Sequence, residues 1–268
     1  MTDLLIIDSH VHTGENWSEP VDVLLHQLGS NGVAHAVLAG HNGNYDNSYL
    51  LDCARRFEGR FKVVGLIDAQ QPDSLKTLDA FHKAGGSGVR INLRKEKEWD
   101  PEDSLFRLAG ELGLIISVIG HAENFAAARF KTLLDNCPST HFCLEHLVRS
   151  PGGDVVEAPF GAYAQALECA KWANTSVKVP GQGEILKKPG RLPVGYPWGG
   201  TVAPHYEMAK TAFGVQRMMW GSNFPPCAAK EGYRNALSGI RDMPLFQDGD
   251  DAAWVMGKTA AKLWGFAV

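Results

Sequence analysis

Four of the chain's ten histidines stand where short apolar runs end. His10 and His12 close the run "LLIIDSHVH", and residues two apart on a strand share a side, so both imidazoles could converge on one ion. His121 follows "LIISVIG", and His146 falls within "HFCLEHL". Imidazole both ligates metals and moves protons near neutral pH, so four of them at such places suggest hydrolytic or proton-transfer chemistry. A lone histidine there is more often a hydrogen-bonded structural group, and an HxH pair alone is a weak pattern. His26, His35, His41, His82, His141 and His205 fall in the structural class, although His41 lies near enough to the end of the second run to reach the same mouth.

Such side chains need a frame that gathers distant segments. Eight apolar runs recur along the chain: "LLIIDSHVH", "VAHAVLAG", "FKVVGLIDA", "GVRINL", "LIISVIGH", "HFCLEHL", "TSVKVPG" and "RMMWGSNF". Strands that alternate with helical segments predict a parallel sheet covered on its outside. The segment "DNSYLLDCARRFEG" offers Asp46 and Asn47 as caps and stops at glycine, as "EPVDVLLHQLGSNG" also does. "PDSLKTLDAFHKAGG" and "PEDSLFRLAGELG" begin with proline and acids and end with glycine.

Eight such units in 268 residues predict an α/β fold, a (β/α)8 TIM barrel, as one domain over residues 1–268. An open doubly wound sheet is the rival, but "DSHVHTG" stands after the first strand where that fold's glycine-rich dinucleotide turn would be. In a barrel, reactive groups gather at the C-terminal strand ends, where the four histidines fall. The Gly- and Pro-rich segment "PGQGEILKKPGRLPVGYPWGG" reads as a lid or binding loop. Its Tyr196 and Trp198 could cover an apolar ring or dock on the barrel rim.

A hydrophobic content of 44% supports a large core, and a net charge of −4 without a basic stripe argues against nucleic acid. Five cysteines without a CxxC pair suggest neither a disulfide framework nor a cysteine zinc site, which fits the cytoplasm. No run is long enough to span a bilayer and the opening "MTDLLIIDSH" lacks a basic leader region, so no membrane partner is expected. The expected partner is a small-molecule substrate, with a homo-oligomer left open.

The stretches "DSHVHTG", "YDNSYLLDCARRFEGRF", "LEHL", "GSNFP" and "GKTAAKLWGF", with His121, resemble the amidohydrolase-related metal-dependent hydrolases. Within them the chain is most similar to the branch holding 2-pyrone-4,6-dicarboxylate lactonase and sugar-lactonase-like enzymes, with the aminocarboxymuconate-semialdehyde decarboxylase group as its neighbour. The resemblance implies that His10, His12 and His121 hold one divalent metal, zinc or manganese. It implies that His146 orients substrate or moves a proton. Asn223 stands where members usually carry an aspartate that binds metal and accepts a proton from water.

A neutral amide offers one weak carbonyl ligand and no base, and it removes a negative charge from the site. Three outcomes stay open: a metal held by histidines with His146 or Glu184 as base, a metal-free site whose histidines polarise a carbonyl, or little hydrolytic activity. Arg90 could clamp a substrate carboxylate or make an outward ion pair, since alternation does not settle its face. Lys178 could polarise a carbonyl or close the barrel end. Asp8 shares the face of His10 but lies deeper, where a hydrogen bond to a ligand is expected. Glu145 alternates to the face opposite His146 and reads as structural. Tyr45 and Asn42 are substrate contacts or part of a turn feeding a helix cap.

The reading is a hydrolase of a small, carboxylated lactone or cyclic ester, with Asn223 positioning water or substrate. The alternatives are a metal-dependent decarboxylase of an aromatic or unsaturated acid, or a catalytically silent metabolite-binding barrel.

Overall fold

The structure, a computed structural model, describes residues 4–98, 102–149, 158, 160–188, 190, 191 and 201–267. Tyr196 and Trp198 lie outside the described residues.

All eight apolar runs form strands: β1 Ile7–Val11, β2 His35–Ala39, β3 Phe61–Gly65, β4 Gly88–Asn92, β5 Ile115–Ile119, β6 Phe142–Leu144, β7 Thr175–Val179 and β8 Met218–Trp220. Each pairs in parallel with its neighbour in sequence. β1 meets β8 through a parallel bridge between Val11 and Phe224, with Asn223 N donating to His10 O at 2.9 Å and His12 N to Phe224 O at 2.7 Å. The sheet therefore curls into a nearly closed (β/α)8 barrel, and these bridging bonds place Asn223 directly beside His10.

The crossovers are α1 Val21–Ser30, α2 Ser48–Arg56, α3 Ser74–Lys83, α4 Ser104–Glu111, α5 Ala122–Ala126, α6 Ala128–Asn136, α7 Gly161–Ala166, α8 Pro204–Phe213 and α9 Tyr233–Arg241. α1 buries Val21, Leu24 and Leu28, spaced three and four apart, as a single apolar stripe. The cap candidates of α2 divide their work. Asp46 accepts the Ser48 N–H at 2.9 Å, while Asn47 both donates to and accepts from the Leu66 backbone, each at 2.9 Å, and so fastens α2 to the end of β3. No helix among the described residues is long and apolar enough to cross a membrane.

Ile7, Val37, Val64, Ile115, Cys143 and Met219 form one apolar cluster with Trp264 and Phe266 from the C-terminal segment. Their strand partners in alternation, such as Leu38, Val63, Val118, Leu144 and Val177, pack in a second cluster with the helices. β1 changes register against β2 between Asp8 and Val11. Simple alternation therefore does not run through β1, and this corrects the expectation that Asp8 shares the face of His10. Asp8 turns to the neighbouring β8 segment and α9. It accepts the N–H groups of Ser222 at 2.8 Å and His10 at 3.2 Å, and the Tyr233 hydroxyl at 2.8 Å. Burial pushes its carboxyl up to about 6.

Candidate active site

Above the apolar plug, the barrel interior becomes polar. Glu145 is fully buried and accepts hydrogen bonds from Arg90 Nε at 2.9 Å, Arg90 Nη2 at 2.8 Å and Ser117 Oγ at 2.8 Å. Lys178 Nζ lies 3.8 Å from the same carboxylate. Burial alone would raise the Glu145 pKa, but Arg90 and Lys178 outweigh it and hold the carboxyl well below the usual range.

The placement of Glu145 corrects the sequence reading. β6 ends at Leu144, and although Glu145 N still donates to Val118 O at 2.8 Å, the next three residues leave the extended region. His146, Leu147 and Val148 have φ of 51°, 56° and 53°. Non-glycine side chains rarely take this conformation, least of all β-branched ones, and strain of this sort persists only where surrounding contacts enforce it. Leu147 N donates to Lys178 O at 2.9 Å, which anchors the turn on β7. The turn abolishes alternation, so Glu145 and His146 both face the barrel axis, with His146 Nε2 3.7 Å from Glu145 Oε2.

Three of the four strand-end histidines come together. The His10 ring lies 4.9 Å from that of His12 and 5.0 Å from that of His146, centroid to centroid. His41 joins them, its ring 4.4 Å from His12. Nδ1 of His12 is 2.6 Å from Ala39 O; because a carbonyl only accepts, Nδ1 carries the hydrogen and Nε2 keeps a lone pair. His10 is placed differently. Its Nδ1 lies 3.0 Å from Lys178 Nζ and 3.7 Å from Glu145 Oε1, while its Nε2 is buried without a hydrogen-bond partner. Burial, reinforced by Lys178 for His10 and by Arg90 for His12, keeps both imidazoles well below their usual pKa.

At the rim, Glu184 follows β7 in a short turn, Gln182–Glu184. Its Oε2 lies 2.8 Å from His146 Nδ1, and its Oε1 accepts a short hydrogen bond from Asn223 Nδ2. Burial would raise this carboxyl as well; His146 and Asn223 outweigh burial and lower it. Asn223 has φ of 55°, a left-handed conformation that asparagine tolerates better than most residues.

The other expected residues stand apart. His121 is the N-cap of α5; its N–H donates to Asn124 Oδ1 at 2.9 Å, and its Nδ1 is buried without a partner. Among the described residues, the set of three His, Cys, Asp or Glu ligand atoms within 4.8 Å of one another is His10, Glu145 and His146. The histidine trio implied by the resemblance, His10, His12 and His121, is not that set. Arg90 faces inward, but its fork meets Glu145 and Gly40 O, the latter at 3.0 Å, so the carboxylate it clamps belongs to the protein. Tyr45, 44% exposed, lines a cleft shared with Asn42, Asp68, Arg90, Asn92 and Lys95 beside the mouth. Ser117 escaped the sequence reading; a hydroxyl inside the apolar run "LIISVIG" was the available signal.

A C-terminal barrel mouth lined by imidazoles and carboxylates is where a barrel enzyme carries out proton-transfer chemistry. The chain belongs to the amidohydrolase family, whose model matches residues 17–266. No curated protein sequence matches it. Among solved structures, it is similar to a probable 2-pyrone-4,6-dicarboxylic acid hydrolase from Acinetobacter baumannii with citric acid bound, at 17% identity and TM-score 0.76, covering 97% of this chain and 99% of that one. An amidohydrolase from Burkholderia multivorans with bound zinc aligns at 17% identity and TM-score 0.77, over 98% and 100% of the two chains. A 5-carboxyvanillate decarboxylase from Novosphingobium aromaticivorans, complexed with manganese and a nitrobenzoic acid, aligns at 14% identity and TM-score 0.61, over 91% and 79%. At these identities the likeness shows a shared fold.

Two of these structural neighbours hold metals, and this chain has three candidate ligand atoms within 4.8 Å of one another. As arranged, that set does not fit a divalent ion. Both Glu145 oxygens already accept hydrogen bonds, and the Lys178 amino group approaches the very His10 nitrogen that faces Glu145. His121, whose Nδ1 is buried without a partner, is not a member of the set.

Proposed function

We propose that the protein hydrolyses a small, carboxylated lactone or cyclic ester. The observation carrying this reading is the pairing of His146 with Glu184, whose second oxygen is held by Asn223. A carboxylate at Nδ1 favours the tautomer with hydrogen there, leaving Nε2 as the basic nitrogen. A water against Nε2 gives its proton to His146 as its oxygen bonds to the carbonyl carbon. The carbonyl oxygen gains charge next to His10, over a floor where Arg90 and Lys178 face the single carboxylate of Glu145. When the ring acyl–oxygen bond breaks, His146 returns the proton to the leaving alkoxide, and an open hydroxy acid departs. Asn223 supplies no base; its amide orients Glu184.

The positive floor favours an anionic substrate, with Arg90 as its inner boundary and Tyr45 a contact on the adjoining cleft. A dicarboxylated lactone is what the name of the Acinetobacter neighbour specifies, in agreement with this reading. A zinc or manganese ion is the second reading, favoured by the lone pair that His12 keeps at Nε2 and by the unpartnered Nδ1 of His121. Five free, buried cysteines support a reducing compartment such as the cytoplasm.

A panel of lactones with and without carboxylates, assayed with metal analysis of the same samples, tests the proposal. His146→Asn and Glu184→Gln should each lower kcat by roughly 10²–10⁴-fold, the range for losing a general base or its partner. Release of CO2 from an aromatic acid without lactone opening would replace hydrolysis by decarboxylation. Tight binding without turnover would make the barrel a receptor.

A further inference from the structure

We propose that Lys178 fixes His10 as a hydrogen-bond donor, and that its ammonium disfavours a divalent ion at this site by holding His10 in the tautomer that cannot ligate one. The tautomer and its effect on cation binding follow from the barrel interior alone; the use of the donor on a lactone carbonyl rests on the hydrolase reading.

Lys178 projects from β7 and is almost completely buried. Its Nζ has three neighbours: Ser117 Oγ at 2.7 Å, His10 Nδ1 at 3.0 Å and Glu145 Oε1 at 3.8 Å. Burial lowers the Lys178 pKa and the Glu145 carboxylate opposes that shift; in its ammonium form Lys178 has three hydrogens and no lone pair, so it meets an imidazole nitrogen only as a donor. Nδ1 of His10 must then be bare, and the ring's hydrogen sits on Nε2. That nitrogen is buried with no partner, an N–H ready for the oxygen of a bound ligand.

His12 takes the opposite form, since its Nδ1 donates to Ala39 O. The two histidines of the HxH pair are thus one donor and one acceptor. Chelation by both would need a lone pair at each Nε2, with each Nδ1–H donated behind to a carbonyl or carboxylate. His12 meets that condition. His10 would meet it only by turning its Nδ1–H toward Glu145, 3.7 Å away, and Lys178 stands in the way. Removing the ammonium should therefore release His10 into the ligating tautomer.

The test is imidazole 15N–1H long-range NMR on chelator-stripped protein labelled at histidine nitrogen, with His10 assigned from a His10→Gln sample. The expected spectrum shows hydrogen at Nε2 of His10 and at Nδ1 of His12. Calorimetric titration with zinc alone should give at least tenfold tighter binding to Lys178→Met than to the parent. A parent spectrum with hydrogen at Nδ1 of His10 overturns the proposal, as does equally tight zinc binding by the two proteins. Should Lys178→Met fail to fold, the parent spectrum decides alone. Failure to open any lactone would sink the hydrolase reading and leave this result standing.

Discussion

Replacing Asn223 by aspartate, the residue that the resemblance implies at this place, tests what the amide does here. In the structure Asn223 Nδ2 donates to Glu184 Oε1, so Asn223→Asp sets a carboxylate oxygen against a carboxylate oxygen where an N–H now points. The lost hydrogen bond to a charged acceptor is worth ~1.5–3 kcal/mol. Two like charges about 4 Å apart repel by ~4 kcal/mol at an effective dielectric constant near 20, which makes the second ionisation of the pair roughly a thousandfold harder than the first. Asp and Glu in such a pair share a proton, and the added carboxyl has a folded-state pKa above its unfolded value. Its contribution is then intact below the unfolded pKa and lost as pH rises through the folded one. Thermal unfolding of parent and variant should differ little near pH 4.5 and diverge by roughly 8–16 °C at pH 8, taking ~4 kcal/mol and the melting-shift scale for chains of this size. Lactone hydrolysis by Asn223→Asp at neutral pH should fall below the parent and recover only where the pair loses its last proton. Equal stability at both pH values would refute the Asn223–Glu184 pairing. Hydrolysis faster than the parent at neutral pH would show that the amide silences a site shaped for a carboxylate.

Glu145→Gln leaves Arg90 and Lys178 buried without a full counter-charge, and urea unfolding should show a loss of ~3–5 kcal/mol, the usual cost of breaking a buried pair from one side. Gly221→Ala brings a Cβ within 2.8 Å of His10 Cβ, so it should displace the ring, cost ~1–3 kcal/mol in unfolding experiments and depress turnover, whereas an unchanged kcat would free His10 from any role. Acid should destabilise the fold through its buried imidazoles: His10 and His12 sit well below their usual pKa, and burial lowers His141 to about 4. With folded values below the unfolded one, this stability is complete above pH ~6.5 and falls as pH drops toward 4, by ~3 kcal/mol for His141 alone; a urea midpoint constant from pH 7.5 to 4.5 would contradict it.

The barrel was legible because parallel strands are buried on both faces and so appear as short, nearly continuous apolar runs, several of them followed by a helix that runs out just before a glycine of positive φ, as at Gly32, Gly59, Gly85 and Gly113. The polar interior was only partly legible, and the losses have two identifiable sources. At β1 the register shift between Asp8 and Val11 breaks the period of two, and nothing in "IDSHV" announces it. At β6 the left-handed turn runs through His146, Leu147 and Val148, residue types that give no warning of positive φ, so Glu145 was assigned to the wrong face. Arg90 failed differently. Its inward face was one of two open choices, but its partner could be known only once Glu145 was placed, because a guanidinium is satisfied by whichever carboxylate the fold brings to it.

The asparagine at the end of β8 likewise takes its meaning from a partner. Judged alone, Asn223 is a lost base. Judged with Glu184 it is one half of a pair in which a neutral donor meets an ionised acceptor, and the carboxylate beside it comes from the loop after β7, within 2.8 Å of His146. An aspartate at 223 and a glutamate at 184 would oppose each other in a buried space unless a metal ion or a shared proton lay between them. In this chain Asn223 meets Glu184 without like-charge repulsion, and Lys178 lies against His10; both contacts suit a site that does its electrostatic work with side chains.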